Sequence, residues 1–270
     1  MEIKKSTLKL FLKSKLINLY LTLKKIGIDL SIFISLKHYP KYLKDKKLWL
    51  KKNGKIDKSF MILNDYKDFA GTAKGHYFHQ DLLVASFIFE AKPKRHIDIG
   101  SRIDGFVSAV ASYREIEVID IRPLKKLVHK NIIFRKEDFI NSNLKEKTDS
   151  VSCLHAIEHF GLGRYGDTID CDGHIKGINN LVEILNEGGI LYISFPIGAR
   201  DEVHFNAHRI FNPRSIFKID SIDKKMELIR FDWVDDDGNL HIKSNIENVG
   251  DNVKYGCGIY TFKKKLNLKY

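Results

Sequence analysis

The run His96-Ile97-Asp98-Ile99-Gly100-Ser101-Arg102-Ile103-Asp104-Gly105 constrains this chain more than any other stretch, because it reads as a buried strand that breaks into a glycine-supported turn and then a helix. A strand ending in Asp and Gly turns tightly, and the helix start that follows offers free amides above the sheet edge. That geometry suits a nucleoside cofactor. In the dinucleotide fingerprint the second glycine lets a pyrophosphate approach the backbone, and here Arg102 stands in its place, which argues against NAD.

An alternating α/β rhythm continues from that turn. A second strand, Glu117-Val118-Ile119-Asp120-Ile121, ends in an acid 22 residues beyond Asp98, the offset at which a carboxylate reaches ribose hydroxyls. Ile132 to Arg135 predicts a third strand, followed by Asp138 for an adenine amino group and Phe139 to cover the ring. Asp149 to Leu154 and Gly189 to Pro196 predict strands four and five, separated by helical spacing over Ile178 to Leu185 and a stop at Asn186-Glu187-Gly188-Gly189. Met226 to Val234 and Gly256 to Phe262 predict two late strands around the turn Asp235-Asp236-Asp237-Gly238-Asn239. S-adenosylmethionine (SAM) carries no pyrophosphate, so the looser D-x-G-x-x-x-x-G turn of Asp98, Gly100 and Gly105 can serve it.

Residues of roughly 68 to 263 resemble a class I SAM-dependent methyltransferase in the acidic ends of the first two strands, the Glu187-Gly188-Gly189 turn and the terminal strand pair. The resemblance implies an α/β, Rossmann-like fold with a mostly parallel seven-stranded sheet, an antiparallel C-terminal strand pair and SAM as cofactor. More narrowly, Gly75 to Asp81, His155 to Asp167 and Phe205 to Arg209 resemble a domain-of-unknown-function group of methyltransferase-like proteins associated with bacterial surface polysaccharide assembly. This implies a sugar or nucleotide-sugar hydroxyl as acceptor. The cofactor set expected is Asp98, Gly100, Ser101, Arg102, Asp120, Ile121, Asp138, Phe139, Leu154 and His155, with Tyr77 and Gln80 from a helix start facing the SAM carboxylate.

Methyl transfer to a hydroxyl needs a general base, and ligands in this fold sit beyond the C-terminal strand ends. After strand four comes His155-Ala156-Ile157-Glu158-His159. Its H-x-x-E-H spacing matches inverted zinc peptidases, but those carry it within a long helix, whereas here it follows a strand directly. The resemblance places His155 beside the SAM sulfur and Glu158 with His159 in the acceptor pocket. After strand five, Asp201 to Arg209 supplies His204, Asn206, His208 and Arg209. His208 is the first choice of base and His159 the second, although His204 and His208, four apart, could equally decorate a surface helix. Arg164, Tyr165, Asp167, Asp170, His204, Asn206 and Arg209 form the expected acceptor set, since arginine forks hold phosphates and carboxylates accept sugar hydroxyls.

Charge divides the chain in two. Residues 1–58 hold 16 lysines, no arginine and four acids, while the rest holds 30 basic and 30 acidic residues, so the whole net charge of +12 belongs to the first segment. We therefore expect a basic helical extension over 1–58 and a catalytic domain over 59–270, joined near Lys51-Lys52-Asn53-Gly54-Lys55. A neutral catalytic part lacks the basic groove that nucleic-acid substrates require, which excludes them as partners. The extension, with Leu8, Leu12, Leu16 and Leu19 among lysines, suits packing on its own domain or a second subunit, or contact with an anionic membrane face. No apolar run reaches the roughly 18 residues of a membrane span, and no secretory signal is evident. Cys153, Cys171 and Cys257 are few and far apart, which fits a reducing cytoplasm and indicates neither a disulfide framework nor a metal site. Asp170, Asp172 and His174 are oxygen-rich but too loosely spaced to define an ion site.

Overall fold

The computed structural model describes residues 35–142, 144, 146–249 and 251–266. The lysine-and-leucine arm over residues 1–34 lies outside them. Contacts divide the chain into two units, Met1–Thr72 and Ala73–Tyr270, so the division falls after the end of the lysine run. In the first unit, helix α1 (Tyr39–Lys51) begins with a proline in its first turn, where no backbone donor is lost, and buries no residue. No described helix is long and apolar enough to cross a membrane.

The second unit is a sheet covered on both faces. Helix α2 (His76–Ala91) leads into β1 (His96–Ile99), a π-turn (Ile103–Val107) and the short α3 (Ser108–Ala111), then β2 (Ile116–Asp120), β3 (Ile132–Lys136) and β4 (Thr148–Leu154). Helix α4 (Gly173–Ile184), β5 (Leu185–Ile197), the hairpin β6 (Glu202–His204) and β7 (His208–Ile210), and α5 (Asp220–Lys225) follow. β8 (Met226–Val234), β9 (Leu240–His241) and β10 (Gly256–Lys264) complete the unit. The sheet order is β3-β2-β1-β4-β5-β10-β8-β9. β1 to β5 are parallel, and β10 inserts antiparallel between β5 and β8. The expected seven strands are present, with the two-residue β9 added at the edge.

Strand alternation explains the two-sided core. Along β10, Cys257 and Ile259 face one side with Val84, Ala85 and Ile88 of α2, whereas Tyr260 and Phe262 face the other with Ile178, Leu181 and Val182 of α4. Full burial of each such aliphatic side chain contributes about 1.5–3 kcal/mol. The α2 side also carries an unusual buried polar column. His96 pairs with the Ser150 and Ser152 hydroxyls at 2.8 and 3.0 Å, and Ser152 donates to Asp98 at 2.5 Å. These partners keep a wholly buried His96 satisfied.

Between Glu202 and Ile210 the chain makes a hairpin and not a helix. His204 and His208 are cross-strand partners with ring centroids 5.2 Å apart, joined through a cis Phe205–Asn206 peptide bond. A spacing of four served a tight β-turn equally well.

Candidate functional site

The strand order reverses at β1, because β2 and β3 lie on one side and β4 and β5 on the other. Ligands of open α/β sheets bind in the crevice at such a switch point. A cavity of about 480 Å³ opens there, lined from the ends of β1 to β4 by Gly100 to Asp104, Asp120 to Leu124, Glu137 to Ile140 and His155. Its size suits a nucleoside cofactor.

The turn after β1 is held from below. Asp98 is fully buried behind the cavity and receives the Ser101 amide at 3.0 Å and the Ser101 hydroxyl at 2.6 Å. Burial pushes the Asp98 carboxyl up to about 7, against the donors of Ser101 and Ser152 that favour its charge. Its role is therefore to shape the turn, and Gly100, Ser101 and Arg102 form the surface that faces a ligand. Gly100 adopts φ 72, and a Cβ there would lie 3.0 Å from the Ala156 Cβ, so the position needs glycine.

Asp120 lies on the cavity wall with Ile121. Arg122 holds its carboxylate from the backbone amide at 2.8 Å and from the guanidinium, and the same guanidinium stands 4.6 Å over the Tyr165 ring. Asp138 and Phe139 line the far wall, where Asp138 accepts from the Ile140 amide at 3.0 Å. Tyr77 reaches the same cavity from α2. Gln80 does not. Its carbonyl accepts the Ser194 hydroxyl at 2.6 Å and its amide donates to Asp81 at 3.0 Å, inside the domain. Leu154 is likewise buried in the α2-side core and does not line the cavity.

His155 directly follows β4 in a left-handed conformation, φ 49, which is costly for a residue with a side chain. Its Nδ1 donates to Glu158 Oε1 at 2.8 Å, and Glu158 is 1% exposed. Burial opposes a charged His155, but Cys257 and Glu158 outweigh it and hold its pKa well above the usual range. Ile157–His159 is a single 3-10 turn, not a metalloprotease helix. His159 lines the cavity, donates from Nδ1 to the Ala207 carbonyl at 2.8 Å, and has its pKa lowered by burial.

The acceptor set separates into two groups. Tyr165 and Asp167 line the cavity, where Asp167 receives the Gly161 amide at 2.8 Å and fixes the loop. Arg164 donates to the Ala207 carbonyl at 2.7 Å at the rim. Asp170 instead pairs with Lys176 at 2.5 Å, and His204 with Glu202 at 2.8 Å. Asn206 is exposed on the hairpin, and His208 packs between His204 and Tyr255 with tilted rings, without lining the cavity. Arg209 is a clamp: 4% exposed, it donates to the carbonyls of Phe160 at 2.6 Å and of Glu158 and Cys171 at 3.3 Å. Arg122 and Phe134 were not anticipated as lining residues, although Arg122 stands only two positions beyond Asp120.

Comparison with known proteins agrees with this architecture. Coclaurine N-methyltransferase, solved with N-methylheliamine and S-adenosylhomocysteine (SAH), superposes with a TM-score of 0.50 over 74% of this chain and 76% of its own, at 9% identity. The fold is the Rossmann-like methyltransferase fold. The 1,6-didemethyltoxoflavin-N1-methyltransferase of Burkholderia thailandensis, solved with its substrate and SAH, gives 0.47 over 85% and 90% at 11% identity. The N-methyltransferase NodS of Bradyrhizobium japonicum, solved with SAH, gives 0.46 over 70% and 88% at 14%. Residues 128–241 match a family described as "Caenorhabditis protein of unknown function, DUF268". No curated protein matches the chain.

Proposed function

We propose that this chain is a SAM-dependent methyltransferase that methylates a hydroxyl of a sugar or nucleotide-linked sugar in surface polysaccharide biosynthesis. The observation that carries the reading is one cavity whose lining joins nucleoside-type groups (Gly100, Asp120, Asp138 and Phe139) with His155, His159, Tyr165 and Asp167. Coclaurine N-methyltransferase, solved with SAH, shares the fold, and the cavity volume and the carboxylate at the end of β2 fit the same cofactor.

SAM supplies an electrophilic methyl group on a sulfonium leaving group, so the protein's task is alignment, exclusion of water and removal of one proton. Asp120 would accept the ribose hydroxyls, and Phe139 would cover the adenine. His159 suits the base: its Nδ1–H is fixed on a carbonyl, which leaves Nε2 as the proton acceptor, and burial keeps it neutral near pH 7. With SAM bound, His159 Nε2 would take the proton of the acceptor hydroxyl as its oxygen meets the methyl group. Tyr165, flanked by Arg122 at 4.6 Å and Arg164 at 5.2 Å, offers an aromatic face with cations for a sugar bearing phosphates.

The neutral charge of residues 59–270 argues against a nucleic-acid acceptor. We assign residues 1–58 to contact with a second subunit or an anionic membrane face, on the cytoplasmic side. Methyl transfer from labelled SAM across a panel of nucleotide sugars tests the reading. Label on one sugar, lost in His159→Ala, supports it; label only on protein or RNA overturns it.

A further inference from the structure

On the α2 side of the sheet three groups converge, to none of which the proposed methyl transfer assigns a chemical step, although His155 also lines the cavity. His76 opens α2, His155 follows β4 and Cys257 lies in β10, and one ligand atom from each falls within 4.8 Å of the other two. No other such trio of His, Cys, Asp or Glu occurs among the described residues, Asp170, Asp172 and His174 included.

We propose that His76, His155 and Cys257 bind a divalent transition metal, zinc by preference. The ligand types are those of zinc: two imidazoles and one thiolate, with a fourth position left for water or an oxygen ligand. Zinc–nitrogen bonds of about 2.0–2.1 Å and a zinc–sulfur bond of about 2.3 Å put tetrahedral ligand atoms about 3.3–3.6 Å apart. The three atoms therefore need to close by roughly an ångström around the ion.

Two further observations point to a ligand. His155 is 8% exposed, and its Nε2 has no hydrogen-bond partner although it is buried. An orphaned polar atom inside a protein is costly, and a metal bond removes that cost. The other nitrogen of the same ring is held by Glu158 at 2.8 Å, the carboxylate–histidine arrangement that fixes the tautomer and turns the second nitrogen towards a metal. The left-handed φ of 49 at His155 sets the ring against His76, with centroids 5.2 Å apart and planes 10° from parallel.

Charge also balances. A 2+ ion meets the Cys257 thiolate directly and the Glu158 carboxylate through the His155 ring. On binding, the Cys257 thiol proton and any proton on the ligating nitrogens leave to solvent. Cys257 is wholly buried, which suits a ligand and does not suit a nucleophile that must meet a substrate.

The full-length protein, stripped with chelator and dialysed, is titrated with Co²⁺ and separately with Zn²⁺. One metal per chain is expected, with a thiolate-to-cobalt charge-transfer band and the visible bands of tetrahedral cobalt. Cys257→Ser should remove the charge-transfer band, and Cys171→Ser, at an exposed thiol, should keep it. Glu158→Gln should weaken zinc binding about 10- to 100-fold. His76→Ala, at a half-buried helix start, should weaken binding while leaving the circular dichroism spectrum unchanged, which keeps the test valid if Cys257→Ser misfolds. No stoichiometric metal on folded protein, a band that survives Cys257→Ser or vanishes in Cys171→Ser, or unchanged affinity in His76→Ala overturns the proposal. None of these readouts involves SAM.

Discussion

Glu158 Oε1 lies 2.8 Å from Nδ1 of His155 and 3.7 Å from Nε2 of His159, so one buried carboxylate hydrogen-bonds the first of the two cavity histidines and only neighbours the second. It gives them different work. His155 is bonded closely and turned inward, whereas His159 keeps a longer approach and a place on the cavity wall.

From that difference follows the first prediction. His159→Ala should lower kcat about 100- to 10,000-fold with SAM affinity nearly unchanged, because a positioned base contributes that much and makes no cofactor contact. His208→Ala should cost far less, since His208 packs on His204 and Tyr255 outside the cavity. Steady-state kinetics on both variants decides between them, and a larger loss in His208→Ala would return the base to the hairpin.

Arg209 illustrates a structural role behind a functional-looking residue. Arg209→Leu leaves the Glu158, Phe160 and Cys171 carbonyls without their donor and should lower stability by about 2–5 kcal/mol. Urea denaturation measures the loss. Acceptor KM in the protein that remains folded should stay near the wild-type value.

Burial of His96 makes stability depend on pH. Burial lowers its pKa from 6.5 to about 3 in the folded chain, so between those values the unfolded chain binds the proton and the folded chain does not. The contribution is constant above pH 6.5 and decreases as pH falls below it, by about 1.4 kcal/mol per unit. Asp98, raised to about 7, acts in the opposite direction, so the test is the difference between wild type and His96→Gln. Urea melts at pH 7 and pH 5 should show the wild type losing about 2 kcal/mol more than the variant over that interval.

Local pattern made the sheet legible. Met226 to Val234 and the Asp235–Asn239 turn stand where alternation and turn chemistry put them, and the acids at the ends of β1 and β2 mark the cavity. Facts that depend on distant neighbours were not legible. The His204–His208 spacing fits both a helix turn and a hairpin, and only pairing of Glu202 with Ile210 selects the hairpin. Arg209 carries the composition of a phosphate site, yet burial turns it onto carbonyls. His76 and Cys257 stand at opposite ends of the domain sequence, and only the placement of α2 over β10 brings them to His155.

Calorimetric titration of SAM and SAH into the full-length protein is the most direct test of the cavity. We predict one site per chain with micromolar affinity, weakened about 10- to 100-fold in Asp120→Ala through loss of charge-assisted bonds to ribose, about 1.5–3 kcal/mol. Absence of heat with either ligand at millimolar concentration on folded protein, or affinity unchanged in a folded Asp120→Ala, would contradict it.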